Sequence, residues 1–443
     1  MSGYDTIPQG ANIQVDKFTL SIPDQELQDF KDLLRLSKLA PKTYENLHAN
    51  AKDGKFGVSH EWMSKAKDFW LNEYDWRATE KHNNSFPNFI AHVKDDDGDV
   101  FKIHFIALFS KKENAVPLLY MHGWPGSHFE HLDIFDLYRN KYSPEELPYH
   151  TIAVSLPGWT LSSGPPLDRD FDTEDIARIM NKLMIGLGFG SGYICQGGDI
   201  GSFTSKVIAG TYDECKGVHY NFAISGEPPK DVDESKITDT ERQGMERMQA
   251  FYMTGNGYAR EHGTRPATIG FVLASSPLAQ LAWIGEKFQE WTDETPPLTQ
   301  ILDSITLYWF TESFPRCIYC YREVMASRRS QNQTPKGPPR GAHPLVNHML
   351  IDIPPRGFAQ FSVPGSRGLP HGNPKYNNDK PVAYSWFPKE LAPVPREWVE
   401  KQGHKLVLFR QHKSGGHFAA VEKPKEMLED MEEFIKTIGW PVK

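Results

Sequence analysis

The stretch YICQGGDIGSFTS, residues 193–205, constrains the fold more than any other part of the chain. Its first residues form an apolar run that reads as a strand, and the residues from Ser202 onward read as a helix. Between them, Gly197, Gly198 and Gly201 crowd small residues around a single carboxylate, Asp199. That pattern suits a sharp strand-to-helix turn, usually written G-x-S-x-G, which presents its central side chain clear of the backbone. Here aspartate stands where the motif has serine. Asp is also a favoured helix N-cap, but a cap does not need glycine on both sides directly after a strand.

The surroundings alternate in the same way. AVPLLYM, YHTIAVSLPG, SGYICQ and KGVHYNFA read as apolar strands, and DFDTEDIARIMNKLMIGLG reads as a capped amphipathic helix. Continuous apolar strands are expected where helices cover both faces of a sheet. Upstream, FPNFIAHVKDDDGDVFKIHFIALFS predicts a hairpin turning at KDDDGD, and FTLSIPDQELQDFKDLLRLSKL predicts a helix capped by Asp24. Helical spacing dominates from about 226 to 328, Pro, Gly and Asn dominate 329–380, and the strand–helix pattern resumes in KPVAYSWF and HKLVLFRQ. The expected organisation is an N-terminal meander (1–85), a first core part (86–225), a helical cap (226–328), an irregular excursion (329–380) and a second core part (381–443). This is the layout of an α/β-hydrolase fold, a mostly parallel twisted sheet with helices on both faces, carrying a cap.

Composition removes several classes of function. A net charge of −8 with no basic face argues against a nucleic-acid partner. The four cysteines are too few and too irregularly spaced for a disulfide framework. Cys317-Ile-Tyr-Cys320 has C-x-x-C spacing but falls in a helical stretch, so it is not read as a metal or redox site. The N-terminal residues lack the apolar core of a signal peptide, and IGFVLASSPLAQLAWIG is too short and too polar to span a bilayer. A soluble, cytoplasmic protein without a membrane span is expected.

Three features fall where such a sheet gathers its chemistry, at the carboxyl ends of strands. The first is Asp199. The second is His122-Gly123-Trp124-Pro125-Gly126 after PLLYM. In a loop of this kind the residue after the glycine offers a backbone N–H to an oxyanion, and the residue after the nucleophile offers another. These are Trp124 and Ile200; His122 itself reads as structural. The third is His417 in HKSGGHFAAVEKP, with Glu390 just past an earlier strand as its carboxylate partner. An exposed loop histidine and a surface glutamate are the plain alternatives for these two. A carboxylate nucleophile differs from serine in what it makes: an ester with a saturated carbon of the substrate, by displacement. That chemistry suits an epoxide or a carbon–halogen bond.

With these motifs in place, the chain resembles the epoxide hydrolases of the microsomal type, in particular their soluble fungal members. MHGWPGS, QGGDIGS, FPKEL, GGHFAA, TRPATIG, SSPLAQLAWIGEKFQEW and LYWFTESFPR carry the resemblance, in order, over roughly 15–330 and 380–443. The resemblance implies an apolar epoxide substrate, water as cosubstrate, a vicinal diol product, and neither a metal nor an organic cofactor. It also implies two cap tyrosines that hold and protonate the epoxide oxygen, which fall on Tyr258 and Tyr321. Tyr319 is a rival to Tyr321, although two positions along a helix it points elsewhere. A homodimer is a further expectation from the same source. The 329–380 stretch departs from the fungal pattern in length, and the acid is Glu390 where aspartate also occurs. A haloalkane dehalogenase shares the ester chemistry but typically places tryptophan after the aspartate, where this chain has Ile200. A biosynthetic enzyme or cyclase opening one particular epoxide is the remaining alternative.

Overall fold

The computed structural model describes residues 3–225, 228–323 and 369–441. Nine strands form one sheet: β1 (Val15–Phe18), β2 (Asn88–Lys94), β3 (Val100–Leu108), β4 (Val116–Met121), β5 (Tyr149–Val154), β6 (Tyr193–Gly197), β7 (Cys215–Tyr220), β8 (Pro381–Trp386) and β9 (Lys405–Gln411). Their order is β1-β2-β3-β5-β4-β6-β7-β8-β9. The first four strands in that order pair antiparallel, and from β5 to β9 every pairing is parallel.

The acidic turn is the expected hairpin: β2 and β3 pair from Asn88 opposite Ile106 to Lys94 opposite Val100. Asp95 of that turn accepts from Arg178 Nε and Nη2 at 2.8 and 2.9 Å, a two-pronged contact that ties the hairpin to the helix Thr173–Met184. Asp24 is a correction. Pro23 is the N-cap of the helix Asp24–Leu36, without a side-chain cap bond, and Asp24 instead pairs with Arg77 at 2.5 Å. Pro23 has a fixed φ and extended ψ that can start a helix without a capping side chain.

The strands are apolar throughout because both faces are covered. In β4, Leu119 and Met121 join one core cluster and Leu118 and Tyr120 the other, as the two-residue repeat of a strand requires. Six helices between 239 and 317 form the cap: Asp239–Ala250, Gly257–Thr264, Pro266–Ala274, Pro277–Glu290, Leu298–Phe310 and Phe314–Cys317. The N-terminal segment does two jobs. Its strand β1 extends the sheet, and its helices pack on the cap, with Phe30 edge-on to Trp70 at 5.1 Å and Trp70 Nε1 donating to Thr306 Oγ1 at 3.1 Å.

No single helix among the described residues is long and apolar enough to cross a membrane, and the apolar pair Pro266–Ala274 and Pro277–Glu290 is bent by 116°. Of the 329–380 excursion, residues 329–368 lie outside the described residues. Its end is described: the turns Pro370–Gly372 and Pro374–Tyr376 lie against the helix Asp199–Thr211, where Tyr376 Oη donates to Glu174 Oε1 at 2.5 Å.

Candidate active site

The parallel register brings the predicted residues together. Met121, the last residue of β4, lies opposite Gly197, the last of β6. Both strands therefore end at one level, and the HGWPG loop and the Asp199 turn emerge side by side. Lys389 and Gly416 form a bridge beyond β8 and β9, which sets Glu390 beside His417 in the same way.

Asp199 has φ +46°, a left-handed conformation that costs a non-glycine residue on the order of 1–3 kcal/mol and persists only where the surroundings enforce it. The neighbouring glycines are part of that enforcement. A Cβ on Gly201 would overlap the Met121 carbonyl, and one on Gly123 would overlap Asp199 Oδ1. Trp124 N–H donates to Asp199 Oδ1 at 2.9 Å, and Ile200 lies in the first turn of the helix Asp199–Thr211, at its positive N-terminal end. Ser202 Oγ donates to the Asp199 carbonyl at 2.7 Å and accepts from His371 Nε2 at 3.2 Å. His371 belongs to the end of the excursion, so that segment braces the turn from behind. His122 is buried, contacts the Gly123 carbonyl through Nδ1, and accepts from Leu156 N–H at 3.3 Å. Burial lowers its pKa to about 4, consistent with a neutral, structural histidine.

His417 stands between two carboxylates. Its Nδ1–H donates to Glu390 Oε1 at 2.6 Å, and its Nε2 lies 3.4 Å from Asp199 Oδ2. Burial alone would lower its pKa, but the charges and hydrogen bonds of Glu390 and Asp199 outweigh burial and raise it to about 10. Glu390 is fully buried and also accepts from Leu391 N–H at 2.5 Å. The cap fixes both loops. Arg247 Nε donates to the Glu390 carbonyl at 2.9 Å, and His417 N–H donates to the Trp291 carbonyl at 2.8 Å. Glu422 accepts from Gly416 N–H and Asp293 N–H at 3.1 and 2.7 Å.

Tyr258 and Tyr321 meet edge to face with ring centroids 5.8 Å apart. Trp124 stacks on Tyr258 at 5.1 Å and meets Tyr321 edge-on at 6.1 Å, so one indole joins the HGWPG loop to both phenols. Burial first, then the charge of Asp199, holds Tyr258 well above the ordinary phenol pKa. Burial, Tyr258 and Asp199 do the same for Tyr321. Both are neutral O–H donors. Tyr319 points away and donates to the Pro157 carbonyl at 2.8 Å. The buried ammonium of Lys287 lies 4.9 Å from the centre of the Tyr258 ring, a cation–π contact. Trp291, Phe314 and His262 complete an aromatic wall.

Sequence reasoning missed Glu130, Gln196 and Asn221. All three line a chamber of about 20 Å³ together with Asp199 and His417. Gln196 and Asn221 read as ordinary strand-end polar residues. Glu130 lies four residues beyond Gly126, outside the loop motif, yet a Cβ on Gly126 would overlap its carboxyl. The second glycine of HGWPG is thus the signal that a side chain packs there. Cys317 and Cys320 are free and buried, and no group of His, Cys, Asp or Glu among the described residues is arranged to hold a metal.

Comparison with known proteins identifies the family. The family described as "Epoxide hydrolase N terminus" matches residues 15–131, and the family "alpha/beta hydrolase fold" matches residues 116–249. The solved structure of Aspergillus niger epoxide hydrolase superposes with a TM-score of 0.83 at 43% identity, covering 98% of this chain and 100% of that one. A relative from Dothistroma septosporum is 40% identical over 437 residues, covering 98% of this chain and 93% of its own length. Rabbit (Oryctolagus cuniculus) epoxide hydrolase 1 is 26% identical over 94% of this chain and 88% of its own. By fold and by kinship, the chain belongs to the epoxide hydrolase family of the α/β-hydrolase fold.

Proposed function

We propose that the enzyme hydrolyses an apolar epoxide through a covalent ester on Asp199. The single observation that carries this reading is the placement of the Asp199 carboxylate, with Oδ1 on Trp124 N–H and Oδ2 beside His417 Nε2. Oδ2 attacks an epoxide carbon, the carbon–oxygen bond breaks, and the leaving oxygen takes a proton from Tyr258 or Tyr321. Neutral phenols suit this role because they stabilise a developing alkoxide without first losing their own proton. Oδ1 stays on Trp124 N–H and becomes the ester carbonyl oxygen.

Esterification then changes the electrostatics. It removes the charge of Asp199, one of the two carboxylates that raise the pKa of His417, so the imidazole gives its proton to the phenolate left by epoxide opening and becomes competent as a base. Water loses a proton to Nε2 and its oxygen bonds to Asp199 Cγ. Trp124 and Ile200 N–H groups stabilise the oxyanion. The ester bond breaks, the alkoxide takes the proton held on Nε2, the new Asp199 carboxyl returns its own proton to the imidazole, and the vicinal diol leaves. Glu390 fixes the imidazole tautomer and its positive charge. The aromatic wall supports an apolar substrate, and Ile200, with only a backbone N–H to offer, gives a halide no side-chain donor.

A single turnover of styrene oxide in heavy-oxygen water with enzyme in excess tests this. Label is expected in the Asp199 carboxylate and absent from the first diol. Label passing straight into the diol overturns the covalent route. Turnover of bromoalkanes but not epoxides would favour dehalogenase chemistry, and a cyclic ether without water oxygen would favour a ring-forming enzyme.

A further inference from the structure

The chamber beside Asp199 has about 20 Å³ of free volume, room for about one water molecule. Gln196 and His131 are among its lining residues, and Gln196 Oε1 and His131 Nδ1 are buried without a hydrogen-bond partner of good geometry, the kind of groups that ordered water satisfies. Glu130 lines this chamber and also a second cavity of about 60 Å³. That cavity lies among the N-terminal segment, the core and the cap, and its lining includes Thr79, His82, Asp133, Gln300 and Ser304. His82 is 43% exposed, so the second cavity lies next to solvent. Glu130 is thus surrounded by protein yet keeps accessible surface, because a cavity opens on each side of it.

We propose that Glu130 positions the hydrolytic water at the Asp199 ester, and that this water is supplied through the second cavity instead of the cap. The proposal rests on the covalent-ester reading, because only that route needs water in a separate step after the epoxide has filled the cap side. The geometry favours a rear supply. Tyr258, Tyr321, Trp124 and Trp291 pack ring to ring on the cap side, whereas the chamber is lined by Asp199 and His417 and by neither phenol. Gly126 leaves the space into which the Glu130 carboxyl fits. Burial raises the Glu130 pKa to about 8, so at neutral pH the group is uncharged. A neutral carboxyl both donates and accepts, as a residue that orients one water and passes another requires.

Millisecond quenching of styrene oxide turnover, read by intact-protein mass, separates ester formation from ester breakdown. E130L is expected to form the ester at a rate within about threefold of wild type and to break it down roughly tenfold to a hundredfold more slowly, so protein carrying the mass of the epoxide accumulates. E130Q, which keeps a donor and an acceptor, restores most of the breakdown rate. S304L fills the second cavity away from the reacting atoms and is expected to slow breakdown while leaving ester formation unchanged. Equal slowing of both steps in E130L, or ordinary breakdown in folded S304L, overturns the proposal. If E130L does not fold, S304L alone still decides the water route. H417Q separates the two readings: no ester mass in H417Q overturns the covalent route itself. Ester in H417Q with a normal ratio of rates in E130L overturns only the role of Glu130.

Discussion

The two halves of the site are built by different physics. The core half, Asp199 with Trp124, Glu390 and His417, hangs on the ends of parallel strands whose register fixes their relative height. Its backbone is strained at Asp199, and close contacts that only glycine permits hold the strain in place. The cap half, Tyr258 and Tyr321, rests on ring-to-ring packing of helices, with no strand ladder beneath it. On the proposed mechanism, attack and proton relay depend on rigid, locally encoded geometry, while activation of the leaving oxygen depends on how well a second layer docks. Trp124 is the joint: its N–H holds Asp199 and its ring holds both phenols.

The largest effects should come from the core half. Asp199→Ala is expected to reduce diol formation by at least about 10⁴-fold, as loss of a nucleophile does in comparable constellations; product chromatography measures this. Activity within tenfold of wild type would mean that water attacks the epoxide directly. His417→Gln should lower kcat by roughly 10²–10⁴-fold while ester accumulates, because formation of the ester does not need the base.

The cap half should respond more gently and on the other step. Tyr258→Phe and Tyr321→Phe are each expected to slow ester formation by about 10–100-fold. The double variant should exceed the product of the two effects if one phenol substitutes for the other, and fall short of it if the two act as a unit. Stopped-flow tryptophan fluorescence follows this step, since Trp124 lies against both rings. Tyr319→Phe is the control: kinetics unchanged, with stability lower by about 1 kcal/mol for one lost hydrogen bond. A kinetic defect in Tyr319→Phe equal to that of Tyr321→Phe would reverse the assignment of the two tyrosines.

The last effect is one of stability and leaves the chemical steps aside, and its sign is opposite. A carboxyl whose folded pKa is raised to about 8 stabilises the fold fully below its unfolded value and loses that contribution as pH rises to the folded value. Glu130 therefore makes the wild type progressively less stable between about pH 4.5 and 8. Glu130→Gln has no such titration. Above pH 8 it should be more stable than wild type by up to a few kcal/mol, and melting curves across this range measure the difference. Parallel pH profiles for the two proteins would show that Glu130 is not desolvated.

Much of the core half was legible in the sequence because its determinants are local. Strand, glycine, carboxylate, glycine and helix within ten residues specify a turn, and HGWPG after an apolar strand specifies a second one. The proposed role of the cap tyrosines came only through resemblance, since helical spacing distinguishes neither Tyr321 from Tyr319 nor either of them from a packing residue. Asp24 was misread as a cap because propensity ranks Asp above Pro at that position, whereas the distant partner Arg77 draws its side chain away.

What the sequence by itself determined is the order of elements, the strained turn and the choice of a carboxylate over a hydroxyl, all encoded within a few residues. Tertiary structure alone decided which buried groups share a cavity. Glu130, Gln196 and Asn221 stand on separate elements whose ends meet only when β4, β6 and β7 take adjacent places in the sheet. That adjacency follows from long-range strand pairing and two-sided packing, which no short window of residues contains.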